Sequence, residues 1–250
     1  MKVTFENIDT IGHVIEENAL YKHYHYPEML IRYDSNFIAF KRMPTLEEFK
    51  GAEAFLRKYH QKNGQEHVKF QFPQDEKLTD DLLRYLQDQK YVTGTNELYA
   101  INPIDFPKVS INPDIHVEEV NASTFDEYVA LQYEQDLLFG ENYAKTKKLL
   151  LHENFHNEKV VQIIAFDKDT AVGAVDVILK DTTAEIDNLF VKESYQRKGI
   201  GSRLQRFVMD AFRDRLVILI ADGEDTPKEM YQKQNYTYLG FQIEALKIFK

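Results

Sequence analysis

The chain has 250 residues, a mass of 29.4 kDa, 43% hydrophobic residues and no cysteine; at roughly 150 residues per domain this means one large domain or two small ones, and it excludes disulfides, thiolate nucleophiles, thiolate zinc sites and iron–sulfur clusters. Lys+Arg 31 against Asp+Glu 41 gives a net charge of −10, which argues against nucleic acid or membrane as a partner and mildly favours a cationic one. No apolar run approaches the ~20 residues of a membrane span, and the acidic N-terminus MKVTFENIDTIGHVIEEN lacks the apolar stretch of a secretory signal, so a soluble cytoplasmic protein is expected.

In chain order, His23-Tyr24-His25-Tyr26 reads as a polar aromatic strand or loop rather than a ligand set. FIAFK (37–41) is a strand, Thr45 to about Gln61 a helix, VKFQF (68–72) a strand, Asp80 to Gln89 a helix and ELYAI (97–101) a strand. Asn102 to Asp114 holds Pro103, Pro107 and Pro113 and reads as an extended connector, because proline fixes its own φ and biases the residue before it away from helix. The division is therefore an α/β domain over 1–101, a linker over 102–114 and a larger domain over 115–250.

That larger domain opens with the strand HVEEV (116–120), a helix from Ser123 to Phe139 with Ser123 as N-cap, and a second helix from Tyr143 to His156. VVQIIAF (160–166), AVGAVDVIL (171–179) and AEIDNLFV (184–191) follow with the short polar connections DKDT and KDTT, the pattern of hairpins. Gly199 to Phe212 carries one apolar stripe, and LVILIA (216–221) is a continuous apolar strand of the kind covered on both faces. A short helix, Lys228 to Gln234, precedes two final strand-like pieces. The fold class is α/β, with a mixed, mostly antiparallel central sheet flanked by helices. YLQDQKYVTGTNEL (85–98) and YQKQNYTYLGFQIE (231–244) are either a diverged internal repeat or a chance likeness of two tyrosine-rich segments.

The sharpest site signal is Gln196-Arg197-Lys198-Gly199-Ile200-Gly201-Ser202, between a strand and an amphipathic helix. A helix start leaves backbone N–H groups without partners and carries partial positive charge, so it attracts an anion where no Cβ blocks approach. Gly199 and Gly201 meet that condition, and Arg197, Lys198 and Arg203 add full charges. The plainer reading is a basic helix start whose glycines only shape a turn. The Gly-Lys-Ser/Thr ending of a nucleotide-binding P-loop is absent, as is the three-glycine dinucleotide fingerprint.

IDNLFVKESYQRKGIGSRL (186–204) resembles the acetyl-coenzyme A motif, Gln/Arg-x-x-Gly-x-Gly/Ala, of the GNAT superfamily of N-acetyltransferases. The resemblance covers about residues 115–250 in the family's element order, with AEIDNLFV as central strand, LVILIA as the next and EMYQKQNYTYLGF (229–241) as last helix and following strand. It implies the GNAT-like acyltransferase fold for that region; the first half, whose elements read as a shortened version of the same pattern, could be a degenerate GNAT-like repeat. The resemblance implies that backbone N–H groups around Gln196, Arg197, Lys198, Gly199, Ile200, Gly201 and Ser202 bind the pyrophosphate of acetyl-CoA, the co-substrate. The pantetheine arm would pair with the strand at Leu189, Phe190 and Val191, one of whose N–H groups polarises the acetyl carbonyl, where the central strand splays from LVILIA. Tyr231 is the implied general acid, since a phenol is protonated at neutral pH and can protonate the departing thiolate; the alternative is a packed core tyrosine. Strand alternation puts Glu185, Asp187, Leu189 and Val191 on one face and Ala184, Ile186, Asn188 and Phe190 on the other, so Glu185, aligned with a family base, or Asp187 could deprotonate the amine; otherwise both are surface charges. A family asparagine about seven residues before the tyrosine falls in Asp222-Gly223-Glu224-Asp225-Thr226-Pro227, which lacks it.

His152-Glu153-Asn154-Phe155-His156 matches H-E-x-x-H, a zinc-peptidase signature, but the helix ends at once and no third ligand follows nearby, so the expectation is no metal. The leading expectation is direct acetyl transfer from acetyl-CoA to a primary amine of a small molecule or peptide, by a monomer or homodimer. A non-catalytic CoA-binding or sensor module on the same fold is the alternative, and the zinc peptidase a weaker one.

Overall fold

The computed structural model describes residues 3–223 and 227–249, of which positions 227 and 228 are described in backbone only. The chain forms two compact units, one of residues 1–98, 221–228 and 238–250, the other of residues 99–220 and 229–237.

In the first unit, β1 (His13–Glu17), β2 (Tyr21–His25) and β3 (Phe37–Phe40) form an antiparallel meander. Helix α1 (Leu46–Lys62) then crosses to β4 (His67–Gln71), which runs parallel to β3. Helix α2 (Asp80–Asp88) and β5 (Val92–Ile101) follow. The last strand of the chain, β11 (Thr237–Ile248), pairs antiparallel with β4, with Ala245 opposite Phe70. Phe49 and Leu56 of α1, Phe70 of β4 and Leu82 and Leu86 of α2 are fully buried together, each contributing about 1.5–3 kcal/mol of apolar burial.

In the second unit, β6 (Ile115–Glu119) is followed by α3 (Phe125–Asp136) and α4 (Glu141–Phe155). The strands β7 (Val160–Asp167), β8 (Thr170–Leu179) and β9 (Thr183–Val191) come next, and β6 to β9 lie in sequence order, all antiparallel. Helix α5 (Ile200–Ala211) leads to β10 (Leu216–Asp222), parallel to β9, and α6 (Pro227–Lys233) follows. The expected mixed, mostly antiparallel sheet with flanking helices is what the chain builds. Ile200, Leu204 and Val208, one turn apart on α5, are buried. Gly173 lets that helix approach β8: a Cβ there would lie 2.9 Å from the Phe190 carbonyl oxygen and 3.3 Å from Leu204 Cδ1.

Several local expectations are corrected. The piece β1 is a strand that the sequence reading did not mark, while β2 takes the strand form of the strand-or-loop reading of His23-Tyr24-His25-Tyr26. The final pair of strands is one strand, β11, and it lies in the first unit. Thr124, not Ser123, is the N-cap of α3, because Asn121 Oδ1 takes the Ser123 N–H and hydroxyl in a tight turn before the helix. Within the proline-rich connector Pro103 and Phe106 are buried, Asn235 Nδ2 donates to the Asp105 carbonyl at 2.8 Å and Arg203 Nη1 to the Asn112 carbonyl at 2.5 Å.

Candidate active site

The turn between β9 and α5 has two residues in the left-handed region, Arg197 at φ 60 and Gly199 at φ 79. Gly199 is the N-cap of α5 and supplies no side-chain cap, and a Cβ built on it would meet nothing within 4 Å. The first intrahelical bond is Arg203 N–H to the Gly199 carbonyl at 3.1 Å, so the N–H groups of Ile200, Gly201 and Ser202 point out of the helix end. No acid lies in the first turn. Gln196 Nε2 donates to the Val191 carbonyl at 3.1 Å, joining the turn to the end of β9. Of the expected cations, Arg197 and Lys198 are exposed, with the Lys198 ammonium 4.5 Å from the Tyr195 ring centroid. Arg203 is committed to the connector instead.

The parallel pairing of β9 with β10 runs from Thr183 opposite Leu216 to Ile186 opposite Leu219. From Asp187 onward β9 continues for five residues paired on its β8 side only, among the described residues. The two strands therefore part beside Leu189, Phe190 and Val191.

The expected alternation along β9 does not hold. Asn188 has φ 53, and the β8 register shifts between Ala174 and Asp176, so that Asn188 and Leu189 together oppose Val175. This is a β-bulge, and it breaks the period of two. Asp187 sits opposite Asp176, and directly opposed residues share a face; Asn188 Nδ2 also reaches Asp176 Oδ2, at 3.4 Å. Phe190, opposite Ala174, packs into the cluster beneath α3 and α4. Val191 faces the other way, its Cγ2 3.8 Å from a Cβ built on Gly201. Glu185, Asp187, Asn188 and Phe190 thus share the α3–α4 face, while Val191 lies on the α5 face. Glu185 is buried and Asp187 half-buried.

Asp176, Tyr128, Gln132 and Asn188 form a ring of side-chain hydrogen bonds that strand and helix patterns did not single out. Burial pushes the Asp176 carboxyl up to about 6, the Asp187 charge adding to the rise, against Tyr128, Lys147 and Asn188, which lower it.

Tyr231 on α6 is buried, its ring centroid 5.2 Å from that of Tyr99 and 5.3 Å from that of Tyr236. Two bonds tie the end of α6 to α5: Gln234 Nε2 to Ser202 Oγ at 3.2 Å and the Tyr236 hydroxyl to Gln205 Oε1 at 2.8 Å. The helix carrying Tyr231 is thereby fastened to the helix that begins with the glycine turn. Of the segment lacking the asparagine, Asp222 to Pro227, positions 224–226 lie outside the described residues.

Of the H-E-x-x-H residues, the exposed His152 ring stands edge-on to Phe125 at 4.7 Å, and the exposed His156 is the C-cap of α4 beside Phe155. Among the described residues no group of three His, Asp or Glu side chains is placed to hold a metal ion, and none of their helices is long and apolar enough to cross a membrane.

Residues 125–236 match the model of the acetyltransferase (GNAT) family, and residues 3–99 match a domain of unknown function, DUF5613. The second half of the chain is a GNAT acetyltransferase-family domain. The whole chain is 32% identical to a functionally unknown conserved protein from Staphylococcus epidermidis ATCC 12228, with a TM-score of 0.92 over 100% of this chain and 99% of that one, and belongs to the same family as it. A GCN5-related N-acetyltransferase from Kribbella flavida shares the fold at 12% identity, with a TM-score of 0.62 over 94% of this chain and 89% of that one. So does a tandem GNAT protein from the clavulanic acid biosynthesis pathway, at 8% identity, with a TM-score of 0.56 over 85% of this chain and 75% of that one. No curated protein matches the chain in sequence.

Proposed function

We propose that the GNAT domain transfers the acetyl group of acetyl-CoA directly to a primary amine of a small molecule or peptide. The observation that carries the reading is the bare helix start at Gly199 next to a strand that parts from its parallel neighbour: one feature suits a diphosphate, the other an extended pantetheine arm. Backbone N–H groups from Gln196 to Ser202 hold the diphosphate, and Leu189, Phe190 and Val191 receive the arm. The neutral amine attacks the thioester carbonyl, the C–S bond breaks as the C–N bond forms, and Tyr231 protonates the departing thiolate. Glu185 or Asp187 takes the proton lost by the amine. With no cysteine in the chain, no thiol is present for an acyl-enzyme, which favours the direct route. The net charge of −10 favours a cationic acceptor.

The test is thiol release from acetyl-CoA across a panel of polyamines, aminoglycosides, amino acids and peptides. Release with at least one amine is expected, and Tyr231→Phe should lower turnover by about 10²–10⁴-fold while coenzyme A still binds. Binding of coenzyme A with no turnover for any amine would instead favour a non-catalytic sensor on the same fold.

A further inference from the structure

The bulge at Asn188 is held by a closed circuit of side chains. The Tyr128 hydroxyl donates to Asp176 Oδ1, Gln132 Nε2 donates to the Tyr128 oxygen at 3.0 Å, and Asn188 Nδ2 donates to Gln132 Oε1 at 3.0 Å and to Asp176 Oδ2 at 3.4 Å. Lys147 stands behind it, donating to Asp136 Oδ1 at 2.8 Å and to Asn188 Oδ1 at 3.5 Å. Tyr128 and Gln132 are fully buried and Asp176 is 5% exposed. Such a network costs stability unless every member is satisfied, so its presence beside the strand that would carry the thioester calls for a role. A left-handed asparagine is tolerated but uncommon, and this one decides where the following N–H groups of β9 point.

We propose that Asp176 is a positioning residue for acyl transfer: with its carboxylate ionised it accepts from both Tyr128 and Asn188 and latches the bulge that aims the Leu189 amide at the acetyl carbonyl. This rests on the acetyltransferase reading. The latch has an alternative partner. Gln162 of β7 lies directly opposite Asp176 on its other flank, and its Oε1 is buried with no hydrogen-bond donor. A protonated Asp176 gains a donor that suits Gln162 and loses an acceptor that Asn188 needs. The charges facing Asp176 are Asp187 of β9, which opposes ionisation, and Lys147 of α4, which favours it; Glu185 lies two residues farther along the same face. Because burial raises the Asp176 pKa to about 6, the latch closes as pH rises through that value.

The experiment has two arms. In the first, amide resonances of Asn188 to Phe190 are followed against pH in the substrate-free full-length protein; one inflexion near pH 6 is expected, and its loss in Asp176→Asn. Amides that do not move with pH overturn the latch. In the second, Asn188→Gly keeps access to φ 53 without strain but removes the circuit. It should lose about 10²-fold in turnover, the scale of a small misplacement at the reacting centre, with the coenzyme A dissociation constant unchanged. Parent-like turnover in Asn188→Gly, with only the melting temperature lowered, overturns the positioning role. A parent protein that releases no thiol with any amine instead overturns the acetyltransferase reading, and the role with it.

Discussion

Each half of the chain makes the same crossing with opposite chemistry at its helix start. Three antiparallel strands lead to a helix and back to a parallel strand: β1-β2-β3-α1-β4 in the first unit, β7-β8-β9-α5-β10 in the second. At α1 the chain's own side chains build a capping box. Thr45 Oγ1 accepts from the Glu48 N–H at 3.2 Å, the Glu48 carboxylate accepts from the Thr45 N–H at 2.9 Å, and Arg42 forks onto the same carboxylate. Arg42 and Thr45 hold the Glu48 carboxyl down to about 2, so with Glu47 it presents negative charge to any approaching phosphate. At α5 a left-handed glycine supplies no cap, no acid stands in the first turn, and Arg197 and Lys198 lie in front. The next helices differ in parallel. Tyr91 N–H bonds the Leu86 carbonyl, and Tyr236 N–H the Tyr231 carbonyl, both at 2.9 Å, after a left-handed Lys90 or Asn235. Leu86 therefore stands where Tyr231 stands, and the first half lacks the anion turn and the phenol together. One crossing closes its helix start with its own side chains, and the other leaves its start uncapped, where the proposed function places coenzyme A.

The strongest way to break that comparison is to fill the open turn. Gly201→Arg should abolish coenzyme A binding in calorimetry, whereas Gly201→Ala should keep it, because a Cβ there makes only an ordinary 3.8 Å contact with Val191. An unchanged dissociation constant for Gly201→Arg would show that the phosphate turn is misassigned.

The open turn was legible because glycine, basic residues and a strand-to-helix junction all leave local marks in sequence. The face assignments on β9 were not, because alternation presumes a period of two and one bulge inverts everything after it. Asn188 itself was the available signal, being the residue type in AEIDNLFV that best tolerates positive φ. The pairing of β11 with β4 joins residues far apart in the chain, and nothing local in TYLGFQIE announces such a partner. β1 hid behind composition, since three of the five residues of HVIEE are histidine or glutamate, which do not mark a strand.

The interiors differ too, and pH should separate them. In the first unit His23, His60 and His67 are almost wholly buried, and burial lowers each pKa to about 4, helped by neighbouring histidines. Unfolded histidine titrates near 6.5, so between about 6.5 and 4 the unfolded state binds more protons and stability falls as pH falls. A loss on the order of several kcal/mol is expected, at about 1.4 kcal/mol per pH unit for each group that stays neutral. Hydrogen exchange of peptides spanning residues 21–71, corrected for intrinsic rates, should show protection collapsing over this window, with a shallower fall in His67→Gln. Protection independent of pH would mean that these imidazoles are not held neutral.

The smallest effect is the most discriminating. Thr45→Ala removes the cap of α1 and should cost about 1 kcal/mol of stability, read as a lower melting temperature. Because the sealed start faces no ligand in this account, coenzyme A affinity should not change. Gly199→Ala forces a side chain into the left-handed region at a similar cost of about 1–2 kcal/mol, yet it should also weaken coenzyme A binding, since it disturbs the backbone that presents the amides. The pair separates stability from ligand contact at equivalent positions of the two crossings. If Thr45→Ala weakened coenzyme A binding as much as Gly199→Ala, the first helix start would take part in the site and the division of labour between the two crossings would be wrong.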